Sequence, residues 1–274
     1  SNLLRISDPP PVLFTLGKKA FLKELSVAIV GSRAATHYGL RVSEKLAGDL
    51  ARNEVAVVSG LALGIDSKAH GGALKEAGTT VAVLGCGVDV VYPRQNKKLY
   101  DQIRQNGVLV SEYPMGCKPD AFRFPARNRI IAGLSQGVVV VEAANRSGSL
   151  ITAQLALDFN REVFAVPGQV DSYKSEGSHW LLKQGARLAE NGQDILEGLG
   201  LQYQVNKKKE NATTDCIGSE EDSLLKLLEP YPTSRDYLIE KSGMKVEKVS
   251  ELLLLLELEG LIEILPGDEI RKLC

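Results

Sequence analysis

The sequence has little of what metal-binding, secreted and membrane-spanning proteins need. It contains four cysteines, at positions 86, 117, 216 and 274, and three histidines among 274 residues. No two cysteines form a Cys-x-x-Cys pair and none stands at zinc-site spacing from a histidine. We therefore expect reduced thiols in a cytoplasmic protein and no metal. No secretory signal opens the chain, and no apolar run approaches the ~18 residues of a membrane helix.

Common nucleotide-binding and hydrolase motifs are missing as well. Gly31 is followed by Ser32, Arg33 and Ala34, which does not meet the G-x-G-x-x-G pattern of dinucleotide-binding proteins. The P-loop, the G-x-S-x-G elbow and the H-E-x-x-H motif are also absent. The sequence specifies neither a nucleophile nor a general base, so we expect a protein that is not an enzyme and needs no cofactor.

Charge is distributed unevenly along the chain, although the net charge is only −1. Residues 1–206 hold 23 Lys and Arg against 19 Asp and Glu, whereas residues 220–274 hold 7 against 13. A mildly basic body therefore carries an acidic C-terminal segment.

Short apolar runs alternate with helical patterns between Ser26 and Gly200. The runs lie at 27–31, 55–60, 80–85, 108–114, 137–143 and 162–168, and the helical patterns at about 38–52, 66–77, 96–106, 127–134, 149–160 and 178–190. Continuous hydrophobic runs that end at Gly, Ser or Pro are typical of parallel strands buried on both faces. The alternation predicts an α/β fold with an extended Rossmann-like doubly wound sheet, which binds ligands at the carboxyl ends of its strands.

The C-terminal segment has a different pattern. Residues 202–219 are polar and are predicted to be a linker. Helical patterns follow at 220–229, about 233–241 and about 245–259, and a hairpin at 261–272 turns at Pro266-Gly267-Asp268. Three helices and a hairpin predict a small winged-helix domain over 220–274. We place the Rossmann-like domain at 26–201 and an N-terminal extension at 1–25.

Glycine and serine turns close four of the predicted strands. They are Gly31-Ser32-Arg33, Ser59-Gly60, Gly85-Cys86-Gly87 and the Ser147-Gly148-Ser149 segment after Glu142. Each places backbone N–H groups near a helix start, where the helix dipole favours an anion. The alternative for each single turn is tight strand-to-helix packing. Four such turns on one edge favour a ligand that carries phosphates.

The densest positive cluster is Arg123-Phe124-Pro125-Ala126-Arg127-Asn128-Arg129. Arginine contacts phosphate in a bidentate manner, and the rings of Phe122 and Phe124 offer surfaces on which single-stranded bases stack. The alternative is that Phe124 is a core residue and that one arginine pairs with Glu142 or Glu112. Asp66 and His70 are spaced four apart, as metal ligands on a helix are, but a helix cap and a packed histidine are the favoured interpretation.

The motifs together resemble the DNA-processing protein A (DprA/Smf) family from about residue 8 to 198. They are VAIVGSR (27–33), SGLALGIDSKAH (59–70), TVAVLGCGVDVVYPRQNKKLY (80–100), SEYPMG (111–116), FPARNRIIAGLS (124–135), VVVVEA (138–143), SGSLITAQLALDFNREVFAVPG (147–168) and EGSHWLLKQGA (176–186). The resemblance implies a protein that binds single-stranded DNA without cutting it. It also implies loading of the RecA recombinase on incoming DNA in natural transformation, and a homodimer.

The resemblance also implies site residues. The arginine of the GSR turn and the basic stretch around FPARNR correspond to Arg33, Arg127 and Arg129, with Asn128 between them. Phosphate contacts are expected from Gly31, Ser32, Ser59, Gly60, Ser147, Gly148 and Ser149. The dimer surface is expected near the EGSHWLLKQGA helix, at His179, Trp180, Leu181 and Leu188, with a core role as the alternative for Trp180. Some members carry an N-terminal helical module, and we expect this chain to start too late in the family pattern to contain one.

The acidic winged helix is not expected to read DNA. Its predicted recognition helix carries Glu247, Glu251, Glu257 and Glu259 against Lys245 and Lys248. Phosphates would be repelled, so we expect contact with protein or with the main domain. Two other functions stay open. One is a phosphoribohydrolase-like nucleotide enzyme with Glu142 as its acid, although the P-G-G-x-G-T-x-x-E pattern of such enzymes is absent. The other is an interaction scaffold.

Overall fold

The computed structural model describes residues 2–23, 25–202, 224–225, 227–228, 233–258, 261–265 and 267–272. The chain divides into two compact units, residues 1–206 and residues 207–274, and each is described by itself. Within the described residues, no helix has the length and apolar character that crossing a membrane requires.

The first unit is built on an eight-stranded sheet. Its strands are β1 (Phe14–Gly17), β2 (Ser26–Val30), β3 (Ala56–Ser59), β4 (Thr80–Val83), β5 (Val108–Ser111), β6 (Gly137–Val140), β7 (Glu162–Ala165) and β8 (Arg187–Leu188). The order across the sheet is β1-β5-β4-β3-β2-β6-β7-β8. Only the β1–β5 pair is antiparallel, so the predicted doubly wound α/β sheet is confirmed.

Among the described residues of this unit, six α-helices connect strands of the sheet, and a seventh follows β8. They are α1 (His37–Arg52), α2 (Ile65–Lys75), α3 (Lys97–Asn106), α4 (Arg123–Leu134), α5 (Gly148–Asp158), α6 (Glu176–Lys183) and α7 (Gly192–Gly198). Successive side chains of β2 point to opposite faces. Val30 belongs to the same apolar core as Ile131 of α4, whereas Ile29 packs in the core that contains Leu46 of α1. Helices therefore cover both faces, which explains the continuous hydrophobic runs.

The N-terminal residues are part of the body rather than an extension of it. Strand β1 pairs with β5, and Leu3 and Ile6 are buried in the core beside Gly133 of α4. A Cβ at Gly133 would lie 2.8 Å from Leu3 Cδ1, so the glycine makes room for this segment. The helix predicted at 178–190 is also wrong beyond Lys183, because the chain continues into β8 and α7. Strands β1 and β8 have only four and two residues, which is too short for a hydrophobic period to be recognised in the sequence.

The sheet changes direction between β2 and β6. From β2 the chain winds through β3, β4 and β5 on one side, and it then crosses to β6 on the other side of β2. Loops leave the carboxyl ends of these two strands in opposite directions, which opens a crevice between them. Residues 31–33 after β2 and 141–147 after β6 border this crevice.

The second unit has the architecture of a winged helix. Strands β9 (Thr233–Ser234), β10 (Ile262–Leu265) and β11 (Glu269–Lys272) form an antiparallel sheet in the order β10-β11-β9. Helices α8 (Arg235–Ser242) and α9 (Val246–Leu258) precede the hairpin. Ser234 caps α8, and Gly243 ends it with a φ of 65°. The predicted linker, apart from residue 202, and most of the helix predicted at 220–229 lie outside the described residues.

Candidate functional site

A cleft of about 700 Å³ opens at the crevice between β2 and β6. Three segments form most of its wall: the turn Gly31-Ser32-Arg33, the start of α4 with the preceding residues 119–121, and the loop from Ala144 to Ser149. Two of the four predicted turns and much of the predicted basic cluster therefore meet in one place. This edge carries the carboxyl ends of the parallel strands, as the sequence predicts.

An aromatic and cationic stack stands at the mouth of the cleft. The rings of Tyr92 and Phe124 are stacked with centroids 5.5 Å apart and planes 23° apart. The guanidinium carbon of Arg33 lies 5.3 Å from the centroid of the Phe124 ring. Arg33 and Tyr92 are exposed, so a flat ligand can reach both the rings and the positive charge. Sequence reasoning missed Tyr92, whose only signal was an aromatic residue beside a proline in the loop after β4.

The start of helix α5 provides the opposite wall. Ser147 caps this helix by accepting a hydrogen bond from the backbone N–H of Ser149 at 3.3 Å, and the two hydroxyl oxygens are 2.7 Å apart. A Cβ built on Gly148 meets no atom within 4 Å, so the first turn of the helix is open to the cleft. Arg146 is exposed next to it. A helix N-terminus with hydroxyls and a neighbouring arginine suits a phosphate.

Arg127 and Asn128 line the floor of the cleft, although both side chains are largely buried. Arg127 is 5% exposed, and its Nη1 donates to the carbonyl oxygens of Gly60, at 2.9 Å, and Val83. Its Nε donates to Oδ1 of Asn128 at 3.1 Å, and Asn128 Nδ2 donates to the carbonyl of Gly148 at 3.3 Å. These hydrogen bonds join strand ends to the start of α5, and direct contact of Arg127 and Asn128 with phosphate stays a prediction.

Known proteins match both units of this chain. Residues 1–200 match the family described as DNA recombination-mediator protein A, and residues 208–268 match the DprA winged helix domain. The chain belongs to the DNA recombination-mediator protein A family. It is 42% identical over 283 residues to Protein Smf of Escherichia coli strain K12, which covers 98% of this chain and 74% of that protein. It is 49% identical over 195 residues to DNA processing protein DprA of Streptococcus pneumoniae, which covers 71% and 69%.

Two solved structures of the family have the same fold. The X-ray structure of DNA processing protein A from Streptococcus pneumoniae has a TM-score of 0.70 at 47% identity, and the match covers 74% of this chain and 71% of that one. A structure of DNA processing protein A from Helicobacter pylori has a TM-score of 0.68 at 34% identity, with coverage of 74% and 94%. The Helicobacter pylori structure is described as giving insight into a unique single-stranded DNA binding mode.

Arg129 of this family member is held by carboxylates. Its Nε donates to Asp8 at 2.9 Å, and its Nη2 donates to Glu112 at 2.6 Å. Arg129 does not line the cleft. The alternative that one arginine of the cluster pairs with Glu112 is therefore correct for Arg129, and its expected phosphate role stays a prediction that this pairing does not favour. The side chain ties the N-terminal segment and the loop after β5 to helix α4.

The glycine and serine turns after β2 and β3 are engaged within the protein. The hydroxyl of Ser59 donates to the carbonyl of Ile29 at 2.6 Å, and the N–H of Gly60 donates to Asp66 at 3.1 Å. Both residues are buried and engaged within the protein, so their expected phosphate contacts stay predictions that the structure does not favour. A Cβ at Gly60 would lie 2.1 Å from Nη1 of Arg127, which explains the glycine.

The turn after β2 combines packing with exposure. The N–H of Ser32 donates to the carbonyl of Glu142 at 2.8 Å, and a Cβ at Gly31 would lie 2.7 Å from Ile65 Cγ1. The alternative that this turn serves tight strand-to-helix packing is therefore correct for the backbone of Gly31 and Ser32. Both still line the cleft, and Arg33 projects from the same turn.

The carboxylates near the cleft already accept hydrogen bonds from groups of the protein. Glu142 is buried and accepts hydrogen bonds from the backbone N–H of Thr36, at 2.9 Å, and from its hydroxyl, which fixes it at the start of α1. Asp66 accepts from the N–H groups of Gly60 and Ala62, so it orders the loop before α2 rather than capping the helix. Burial raises the pKa of Asp66, and the positive charge of Arg127 opposes that rise.

His70 is a packed histidine, as the favoured interpretation has it. Its Nδ1 lies 2.7 Å from the hydroxyl oxygen of Thr80, which donates its own proton to the carbonyl of Val57 at 2.8 Å. His70 Nδ1 is therefore the donor in the first contact. Burial lowers the pKa of His70 to about 3, with the charge of Arg127 adding to the shift. Among the described residues, no group of His, Cys, Asp or Glu is arranged to hold a metal ion.

The residues expected at the dimer surface divide into two kinds. Trp180 and Leu188 are each 47% exposed, so the core alternative for Trp180 is wrong. Leu181 is a buried core residue, which corrects its expected place at an interface. His179 is partly buried, with Nε2 3.1 Å from the carbonyl oxygen of Gly168. Trp180 and Leu188 are the two that remain accessible to a partner.

Helix α9 of the second unit presents an acidic and apolar face. Val249, Leu252, Leu253 and Leu256 are buried in the core of that unit. The opposite side of the helix carries Glu247, Glu251, Leu254 and Leu255, all exposed. Lys248 pairs with Glu251 at 3.3 Å, which further reduces the positive charge available to a phosphate backbone.

Proposed function

We propose that this protein binds single-stranded DNA in the cleft between β2 and β6 and catalyses no reaction. We further propose that it acts in the cytoplasm as a homodimeric recombination mediator, which loads the RecA recombinase on incoming DNA during natural transformation. The observation that carries the DNA-binding proposal is the stack of Arg33, Phe124 and Tyr92 at the mouth of the cleft.

The stack suits unpaired bases. Every base has a flat face that stacks on an aromatic ring, and the gain is about 1–3 kcal/mol per base. In a duplex these faces are covered by neighbouring base pairs. The start of α5 at Ser147-Gly148-Ser149 lies in the same cleft and supports a phosphate contact beside the stacked base. The description of the Helicobacter pylori relative as binding single-stranded DNA supports the same ligand for this chain.

The state of the acidic groups supports a role without catalysis. A general acid or base must reach its substrate. Glu142 does not line the cleft and is held at the start of α1. Asp66 does line the cleft, but its carboxylate is buried and accepts from two backbone N–H groups. Membership in the family supports the RecA and transformation roles. The exposure of Trp180 and Leu188 supports a contact between two copies near α6.

The acidic face of α9 supports a protein partner for the winged helix. Glu247 and Glu251 would repel a phosphate backbone, whereas Leu254 and Leu255 offer an apolar contact. We therefore assign DNA binding to the first unit alone.

Filter binding of labelled oligo-dT across a salt series tests the proposal. Binding to oligo-dT should weaken as salt rises, because binding releases counterions from the strand and this release is less favourable at high salt. A duplex of equal length should bind more weakly. Equal affinity for the duplex would contradict a stacking site. Unchanged electrophoretic mobility of oligo-dT in the presence of the protein at low salt would instead support an interaction scaffold. Release of free base from nucleoside monophosphates would support the enzyme alternative.

A further inference from the structure

Two cysteines lie on neighbouring loops beside the cleft. Cys86 is in the loop after β4 and Cys117 is in the loop after β5, and both are free thiols. The N–H of Gly87 donates to the carbonyl oxygen of Cys117 at 2.9 Å. The N–H of Gly116 donates to both carboxylate oxygens of Asp89, at 2.9 and 3.0 Å. Hydrogen bonds on both sides of the cysteines therefore hold the two loops together.

The backbone contact brings the cysteines close to bridging distance. Standard bond lengths on each side of the Gly87–Cys117 hydrogen bond keep the Cα atoms of Cys86 and Cys117 within about 8 Å of each other. A disulfide spans Cα atoms ~4.4–6.8 Å apart. At most a small loop movement is needed to join the sulfurs. Burial is the main cause of the raised pKa of Cys86, and the nearby Cys117 adds to it.

The two sulfurs have different surroundings. Cys117 is partly exposed, and Nη1 of Arg123 donates to its sulfur at 2.6 Å. Reactive cysteines lie beside basic side chains, because the thiolate is the form that attacks. Cys86 is 1% exposed, and burial raises its pKa to about 11. Cys117 is thus the thiol that meets an oxidant from solution, and Cys86 is a protonated thiol behind it.

We propose that Cys117 is a peroxide-oxidised site and that Cys86 resolves it to an intrachain disulfide. The thiolate of Cys117 attacks a peroxide oxygen, the O–O bond breaks, and hydroxide or an alcohol leaves while the sulfur becomes a sulfenic acid. The sulfur of Cys86 then attacks that sulfur. The S–S bond forms, the S–O bond breaks, and the hydroxyl leaves as water with the Cys86 proton. One peroxide is reduced and two thiols are oxidised.

The bridge would act on the cleft, a consequence that rests on the proposed function. Cys86 lines a small pocket of about 70 Å³ whose wall includes Phe124, Tyr92 and Arg33. Arg123, the first residue of α4, contacts the sulfur of Cys117 and precedes Phe124. Drawing Cys117 towards Cys86 removes that contact and moves the start of α4. Oxidation therefore disturbs the stack and lowers the affinity for single-stranded DNA.

The test uses the full chain with Cys216→Ser and Cys274→Ser, so that only the two thiols in question remain. The protein is treated with hydrogen peroxide, and catalase then removes the excess peroxide. Free thiols are titrated in the unfolded protein, and the masses of its unreduced peptides are measured by mass spectrometry. We expect the loss of both thiols, a linked peptide containing Cys86 and Cys117 from a single chain, and recovery of both thiols with dithiothreitol. With Cys86→Ser added, we expect a sulfenic acid on Cys117 that dimedone traps. With Cys117→Ser added, Cys86 should keep its thiol.

Three results would overturn the inference: both thiols unreacted, sulfinic or sulfonic acid on Cys117 while Cys86 is present, or a bridge between two chains. Oligo-dT binding is measured on the same samples. We expect a several-fold loss of affinity on oxidation, recovery with dithiothreitol, and no loss in the Cys117→Ser protein. A bridge without loss of affinity would refute the effect on the cleft. A reduced protein that binds no oligo-dT would refute the proposed function, and the thiol measurements would still decide on the bridge.

Discussion

Nη1 of Arg127 donates a hydrogen bond to the carbonyl oxygen of Gly60 at 2.9 Å, across 67 residues of chain. The contact joins helix α4 to the end of strand β3 inside the protein. Gly60 has no side chain because any Cβ there would occupy the position of the guanidinium. The conspicuous FPARNR motif is thus partly a structural element that fixes the floor of the cleft.

Replacing Arg127 should damage the fold rather than one DNA contact. Arg127→Ala leaves the carbonyls of Gly60 and Val83 without their donor, and we expect it to lower the free energy of unfolding by about 2–4 kcal/mol. Urea denaturation followed by circular dichroism measures this. The matched control is Arg104→Ala, an exposed arginine of α3, which should change stability by less than about 0.5 kcal/mol. If Arg127→Ala instead lost DNA binding at unaltered stability, Arg127 would be a direct DNA contact.

Replacing Arg33 should weaken DNA binding without affecting the fold. Arg33→Ala removes an exposed charge beside the Phe124 ring, and we expect about a tenfold loss of affinity for oligo-dT. The slope of log affinity against log salt should fall by about 0.7, the value for one phosphate contact on a single strand. Arg104→Ala again serves as the control in filter binding. If both variants lose affinity equally, the effect is one of net charge and not of the cleft.

Two phenylalanines distinguish base stacking in the cleft from the effect of any exposed aromatic ring on DNA affinity. Phe124 lines the cleft, whereas Phe122, two residues earlier, is exposed but lies outside it. Phe124→Leu should weaken oligo-dT binding by about 5- to 150-fold, which corresponds to the loss of one stacked base. Phe122→Leu should leave the affinity unchanged. Fluorescence anisotropy with labelled oligo-dT compares them, and equal losses would argue against a base on the Phe124 ring.

His70 should make stability depend on pH. Its pKa is lowered by burial to about 3 in the folded protein, against an ordinary value of 6.5. Between these values the unfolded chain binds a proton that the folded chain does not, so stability falls as the pH is lowered from 6.5 towards 3. Each pKa unit corresponds to about 1.4 kcal/mol. Urea midpoints between pH 7 and pH 4 should fall less steeply for His70→Gln than for the unmodified protein.

His37→Gln is the matched control for this pH series, because His37 is exposed. Its urea midpoints should follow those of the unmodified protein at every pH. A His70→Gln protein with the same pH slope as the unmodified one would show that other groups cause the dependence.

The winged helix should be dispensable for DNA binding. Deletion of residues 216–274 removes an acidic segment, so we expect the affinity for oligo-dT to stay within about twofold or to rise slightly. The full chain with Glu247→Gln and Glu251→Gln provides a milder version of the same experiment. Loss of binding on deletion, with the first unit still folded by circular dichroism, would assign a DNA contact to the second unit.

The amino-acid sequence by itself determined the architecture of this protein. Continuous apolar runs closed by small residues identified the six central strands, since a strand covered on both faces by helices has no polar face to alternate with. The order of strands and helices placed the turns at 31–33 and 147–149 on one edge. The acidic composition of the last 55 residues separated the winged helix from the first unit, to which we assign DNA binding.

Only the tertiary structure decided which of the predicted residues face the cleft. Arg33, Arg127 and Arg129 are equivalent as cations in the sequence. The fold exposes the first, buries the second against backbone carbonyls and pairs the third with Asp8 and Glu112. Tyr92 joins the site because its loop crosses to α4. These assignments depend on contacts between residues far apart in the chain, and local periodicity carries no information about such contacts.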